Sequence, residues 1–194
     1  MTETTAFHTN ILTLFPEMFP GTLGQSLAGK ALEAGKWSLN TVNIRDFTQD
    51  LHKTVDDTPY GGGAGMVMRA DVLGNAIETA RQTTPKSQPL IYLSPRGKHF
   101  DQAMAKTLSQ APGVILICGR FEGMDERLIE EYNVKEVSLG DFIMTGGEIA
   151  AQALIDATVR LIPRVLGNHV SVKKESFSEG LLEHPQYTRP AVWR

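Results

Sequence analysis

A chain of 194 residues with 41% hydrophobic and 21% charged residues has an ordinary globular composition and is long enough to bury a sizeable core. A formal charge of −3 and a pI near 6.0 exclude nucleic-acid binding through bulk positive charge, while leaving room for a local basic patch. One cysteine, Cys118, lies inside an apolar run, which excludes a disulfide framework and a cysteine metal site and points to a reducing compartment such as the cytoplasm; no apolar run approaches membrane-spanning length, so no membrane partner is expected.

In chain order, Ile11 to Phe15 reads as a strand stopped by Pro16, and Leu23 to Ala34 as a helix. A second strand is predicted over Trp37 to Ile44. Arg45 to Met66 has no apolar period and ends in Tyr60-Gly61-Gly62-Gly63-Ala64-Gly65. A loop this long inside a compact domain is functional or disordered, and its glycines admit close backbone approach to a ligand. From Ala70 the pattern alternates: helix to Gln82, strand Pro89 to Leu93, helix Asp101 to Leu108, strand Val114 to Cys118, helix Asp125 to Glu131. That rhythm predicts an α/β fold, a mostly parallel sheet flanked by helices.

Val137 to Glu148 runs from a short strand into a glycine-dense turn and on into a helical pattern ending at Ile162. Two other strands also end in glycine-bearing turns, Ser94-Pro95-Arg96-Gly97 and Gly119-Arg120-Phe121-Glu122-Gly123. The C-terminal ends of parallel strands share one sheet edge, so the three turns are expected to line one pocket. The helix from Glu148 is apolar nearly all round and needs cover on most sides, which a subunit interface would supply. That cover would leave Gln152, Asp156 and Arg160, a polar stripe along the helix, facing a cleft, although spacing alone favours an ordinary i, i+4 surface pair of Asp156 and Arg160. From Arg164 onward the sequence is polar and irregular and reads as a linker.

Several chemistries are disfavoured. Gly24 to Ala31 looks like a phosphate-binding loop, but Ala31 stands where a magnesium-binding hydroxyl belongs and the segment lies within a helical pattern. No dinucleotide fingerprint follows a strand, which weakens a nucleotide-dependent oxidoreductase. The five histidines are scattered without ligand spacing, so no protein-held metal is expected. Cys118 is too apolar in setting for a nucleophile.

Leu14 to Phe19, Arg45 to Thr48, Thr54 to Asp57, Pro59 to Met66, Tyr92 to Pro95, Cys118 to Gly123, Ser138 to Asp141 and Tyr187 to Pro190 together resemble, in order along the chain, the bacterial tRNA (guanine-N1)-methyltransferases that modify guanosine 37. The resemblance implies a SPOUT methyltransferase fold with a trefoil knot towards its C-terminal side, S-adenosylmethionine as cofactor, Mg²⁺ for activity, an obligate homodimer and a tRNA with G at positions 36 and 37. Neither DNA nor membrane is implied as a partner. The cofactor is expected against Tyr92, Leu93, Ser94, Pro95 and Gly97, then Gly119, Phe121, Glu122 and Gly123, then Ser138, Leu139, Gly140, Asp141, Phe142, Ile143 and Met144 with Gly146 and Gly147. Backbone groups of these turns would hold adenine and ribose, with Glu122 nearer the methionine end. Asp56, Tyr60, Gly61 and Gly65 would face the tRNA. Arg160 aligns with the catalytic arginine, and Glu175 stands where family members carry the aspartate taken as general base. Residues 1–164 would form the catalytic domain and 165–194 an interdomain linker, with the family's helical tRNA-binding domain absent from this chain and its methylation therefore weak. The alternative is a non-catalytic RNA-binding or regulatory protein on the same knotted fold.

Overall fold

The computed structural model describes residues 6–85, 87–163, 165–166 and 185–193. In chain order the elements are β1 (Phe7–Thr13), α1 (Ser26–Glu33), β2 (Trp37–Asn43), β3 (Asp56–Asp57), β4 (Val67–Met68), α2 (Ala70–Gln82), β5 (Leu90–His99), α3 (Gln102–Ser109), β6 (Gly113–Cys118), α4 (Arg127–Tyr132), β7 (Lys135–Ser138) and α5 (Glu148–Val159). Five strands form a parallel sheet in the order β2-β1-β6-β5-β7, and β3 and β4 pair as an antiparallel two-stranded ribbon. The expected α/β architecture is therefore present.

The central strand β6 reads Gly-Val-Ile-Leu-Ile-Cys and is buried throughout, as a parallel strand covered on both faces must be. Val114, Leu116 and Cys118 join one core with Phe7, Ile11, Leu108 of α3 and the inner face of α5. Ile115 and Ile117 join the opposite core with Leu12, Tyr92, Leu73 and Ile77 of α2 and Leu128 of α4. Asp101 caps α3, its carboxylate accepting the Met104 amide at 2.7 Å.

Several boundaries depart from the sequence expectation, among them the end of α5, at Val159 rather than Ile162. β1 begins at Phe7, four residues before the apolar run, because Asn10 takes a hydrogen bond from Asn40 at 3.1 Å and His8 meets Ser38 at 2.7 Å across the β1–β2 ladder. The helix expected from Leu23 is broken at Ser26, whose φ is 55°; a short 3₁₀ segment, Gly21–Gly24, packs against α1 before it. β5 also continues past Leu93 to His99. Leu93 and Lys98 both register with Val137, so Ser94 to Gly97 forms a bulge within the strand rather than a turn at its end.

α5 buries Ala150, Ala151, Leu154, Ile155, Thr158 and Val159 within its own chain and exposes Ile149 and Asp156. Gln152, the first member of the polar stripe, donates to Met18 O at 3.1 Å and accepts from Thr22 Oγ1 at 3.0 Å, so it braces the segment after β1 instead of facing a cleft. No helix among the described residues is long and apolar enough to cross a membrane. Most of the expected linker, 167–184 with Glu175, lies outside the described residues.

Candidate active site at the C-terminal edge of the sheet

The β5 bulge, the turn after β6 and the turn after β7 converge on a cavity of about 330 Å³. The first wall is Tyr92, Leu93, Ser94, Pro95 and Arg96. The second is Gly119 to Met124. The third is Val137 to Gly140 with Phe142 to Gly147, and Ala150 of α5 closes the floor. Two of the residues expected to meet the cofactor are not on this lining. Gly97 lies against the β7 backbone, where a Cβ would come 2.6 Å from Glu136 O. Asp141 is exposed and pairs with His99 at 2.9 Å.

Close approach explains why the walls carry glycine. A Cβ on Gly119 would lie 2.6 Å from the Tyr92 ring, and one on Gly123 would lie 3.1 Å from its hydroxyl. Tyr92 is 6% exposed, and burial, reinforced by the nearby charge of Glu136, raises its phenol above the ordinary value of 10.0. Phe121 adopts φ 58°, a left-handed conformation that a bulky residue holds only when its surroundings impose it. Here they do so on both sides: Glu122 N donates to Met66 O at 2.9 Å, and Gly123 N to Arg120 O at 3.1 Å.

The long loop returns to this wall. Met68 N of β4 donates to Gly123 O at 2.8 Å and Asp125 N to Met68 O at 3.2 Å. At Gly65, with φ 85°, a Cβ would meet Glu122 Oε1 at 2.5 Å, so the glycine loop touches the carboxylate on the cavity wall. Of the residues expected to face tRNA, Gly65 thus reaches the cavity wall. Asp56 lies in β3, and Tyr60 and Gly61 stand in the exposed loop, Tyr60 at 98% exposure.

Arg160 caps the C-terminal end of the 12-residue α5 and is not among the lining residues. Ala150, near the opposite end of that helix, supplies the floor, about 15 Å away by the α-helical rise.

Two charged groupings escaped the sequence reading. Arg96 Nη2 reaches Glu126 Oε2 at 2.8 Å and Glu136 Oε1 at 3.2 Å, tying the bulge to α4 and β7 at the rim. Behind the walls, Arg120 Nη2 pairs with Glu148 Oε2 at 2.8 Å. Neither pairing has a short-range sequence signal, since each joins residues far apart in the chain. Cys118 is fully buried, and burial followed by the charge of Glu148 pushes its thiol well above the ordinary 9.0, so the cavity offers no thiolate nucleophile. No cluster of three or more His, Cys, Asp or Glu able to hold a metal occurs among the described residues. The site is a binding cavity with apolar and backbone walls, a carboxylate, Glu122, that has no hydrogen-bond or ion-pair partner among the described residues, and a guanidinium, Arg96, at its rim.

Comparison with known proteins gives this cavity a family. The family model described as tRNA (Guanine-1)-methyltransferase TrmD matches residues 7–194. A tRNA (guanine-N(1)-)-methyltransferase of Ruegeria sp. (strain TM1040) is 68% identical over 95% of this chain and 75% of its own length. Proteins of the same name from Cereibacter sphaeroides (strain KD131) and Ruegeria pomeroyi are 64% and 63% identical, over 97% and 100% of this chain and 77% and 81% of their own lengths. A match that includes every wall of the cavity, at identities this high, establishes that the chain belongs to the tRNA (guanine-1)-methyltransferase family.

Proposed function

We propose that this tRNA (guanine-N1)-methyltransferase takes its methyl group from S-adenosylmethionine and delivers it to N1 of guanosine 37, beside the anticodon, in tRNAs carrying G at positions 36 and 37. Such a modification maintains the reading frame, and its setting is the cytoplasm. The observation that carries the reading is the convergence of three glycine-bearing walls on one cavity, with the glycine loop in contact with Glu122.

The residues present suit this cofactor. A volume of about 330 Å³ falls in the range of small-molecule sites, ~300–1,000 Å³. Leu139, Phe142, Ile143 and Met144 offer apolar surface to a base, while the turns present backbone donors and acceptors to adenine and ribose. Glu122 supplies a carboxylate for the ammonium of the methionine end. When bound, the cofactor supplies an electrophilic methyl group on a sulfonium.

Guanine N1 carries a proton and is a poor nucleophile until that proton leaves, so a carboxylate within hydrogen-bond reach must accept it; Glu175 is assigned this role. Negative charge then grows on O6, where the guanidinium of Arg160 stabilises it. Arg160 stands at the far end of α5 from the cavity of its own chain, which supports a homodimer whose pockets are completed by the second subunit. Ile143 and Ile149, exposed at 82% and 59% beside the cavity, offer apolar surface for that contact. The trefoil knot and a dependence on Mg²⁺ belong to the same reading. The described residues contain no carboxylate set to hold the metal, so its requirement is tested by chelation and readdition.

Calorimetric titration with S-adenosylmethionine should give saturable binding to the folded protein. Transfer of a labelled methyl should then follow with tRNA bearing G36 and G37 and fail with A37. Absence of cofactor binding sinks the reading, and methylation independent of residue 37 sinks its position specificity. Glu175→Gln should abolish turnover and spare cofactor binding; undiminished turnover would remove Glu175 from the role of base.

A further inference from the structure

We propose that Arg120 and Glu148 are positioning residues that set the shape of the cofactor cavity, by clamping its second and third walls to each other and to the end of β1. The inference rests on the reading of that cavity as the S-adenosylmethionine site.

Both residues follow wall glycines, Arg120 after Gly119 and Glu148 after Gly147. Arg120 borders the cavity, and its charged end is engaged by neighbouring groups. Nη1 donates to Thr145 O at 3.2 Å, Nη2 pairs with Glu148 at 2.8 Å, and the guanidinium lies over the Phe15 ring at 4.3 Å. Glu148 is 1% exposed. Its other oxygen accepts from Thr13 Oγ1 at 2.8 Å, and that hydroxyl in turn accepts the Phe15 amide at 3.0 Å. The two walls are therefore joined at their bases by this ion pair and by one backbone bond, Gly147 N to Gly119 O at 3.0 Å. Glycine at 146 is part of the same construction, since a Cβ there would lie 2.7 Å from Arg120 Cδ.

Stability alone does not account for the arrangement. A buried ion pair gives back in attraction roughly what it lost in hydration, and an apolar pair of similar volume is often as stabilising or more so. Moreover, Arg120 Nε and Glu148 Oε2 are both buried without a hydrogen-bond partner among the described residues, so the 2.8 Å contact is an ion pair outside hydrogen-bond geometry, a cost that apolar residues would avoid. What the pair adds is geometry. The planar guanidinium holds a carbonyl of one turn and a carboxylate at the start of α5 in fixed relation. A cofactor held chiefly by backbone groups of these turns senses any change in their separation, because shifts near 1 Å misplace reacting groups.

The test uses Arg120→Lys, which keeps the charge and loses the fork, and Glu148→Gln, which keeps the shape and the Thr13 contact and loses the charge. Each should weaken S-adenosylmethionine binding by about tenfold or more and leave tRNA affinity within about twofold. The Gly147 amide should exchange faster with solvent deuterium while the core amide of Leu116 is unchanged. A purely structural pair would lower the melting temperature of Glu148→Gln yet leave Arg120→Lys with wild-type cofactor affinity and wild-type Gly147 exchange, and that outcome overturns the proposal. If Glu148→Gln does not fold, Arg120→Lys alone decides. Failure of the wild-type protein to bind S-adenosylmethionine would refute the assignment of the cavity, whereas Gly147 exchange would still report whether the clamp exists.

Discussion

Gly97→Ala separates a packing role from a ligand-contact role at a residue that the family resemblance places beside the cofactor. In the structure Gly97 faces the backbone of Glu136 and Val137, with Glu136 O at 2.6 Å from the Cβ position, where ordinary contact begins near 3.4 Å. The obstructing atoms are main chain, so no side chain can swing aside and the bulge must retreat from β7 by about 1 Å, more than a packed interior tolerates without loss. Overpacking costs ~1–3 kcal/mol. The retreat also loosens the pairings Lys98↔Val137 and His99↔Ser138, at ~0.5–1.5 kcal/mol for each hydrogen bond lost. With one hydrogen bond lost at each pairing, the expected destabilisation is ~2–6 kcal/mol, or roughly 4–24 °C in melting temperature for a domain of this size. Gly35→Ala is the control. Its Cβ would meet nothing within 4 Å, but its φ of +66° disfavours a side chain, so it should cost only ~1–2 kcal/mol. Urea unfolding of the three proteins, with calorimetry of cofactor binding, provides the comparison. The packing argument fails if Gly97→Ala unfolds with the wild-type midpoint, or loses cofactor affinity without losing stability.

Arg96→Ala removes an exposed bridge to Glu126 and Glu136; a stability loss of at most ~1 kcal/mol, vanishing in about 0.5 M salt, is expected from urea curves at two ionic strengths. Asp101→Ala deletes the cap of α3 and should cost ~1 kcal/mol with an unchanged m-value, while Asp101→Asn should recover most of it. Because burial raises the Cys118 thiol above its ordinary 9.0, the unfolded chain gives up this proton first. The stabilisation is complete below pH 9 and declines above it, by ~1.4 kcal/mol per pH unit at most, until the raised folded value is reached. Cys118→Ala, although less stable overall, should lose that part of the alkaline slope; an unchanged slope would mean that other groups produce it.

The parts of the fold legible in the sequence are those where one local signal sufficed. α2 coincides with the expected Ala70 to Gln82 because its apolar period and its ends agree. β6 is an unbroken apolar run with no competing reading. The first residues of β1 were invisible because His8, Thr9 and Asn10 carry no apolar pattern and are recruited by pairing with β2 and β6. In the sequence the β5 bulge reads as a terminal turn, since Ser94-Pro95-Arg96-Gly97 has the composition of one; only the register with Val137 shows the strand resuming. For the cavity, the glycines announced the three turns, and parallel-sheet geometry brought them to one edge. Side-chain partnerships stayed hidden, because Tyr92 against Gly119 and Arg120 against Glu148 are fixed by which strands neighbour one another.

The ribbon of β3 and β4 has an energetic consequence. Through Met66 and Met68 its backbone is hydrogen-bonded to the same turn, Glu122 to Asp125, that forms the second wall. A molecule that reshapes that wall therefore does work on the glycine loop, and a molecule that captures the loop does equal work on the wall. Whatever factor by which loop occupancy tightens or loosens affinity for the cavity, cavity occupancy must change affinity for the loop by the same factor, since the linkage is thermodynamically reciprocal.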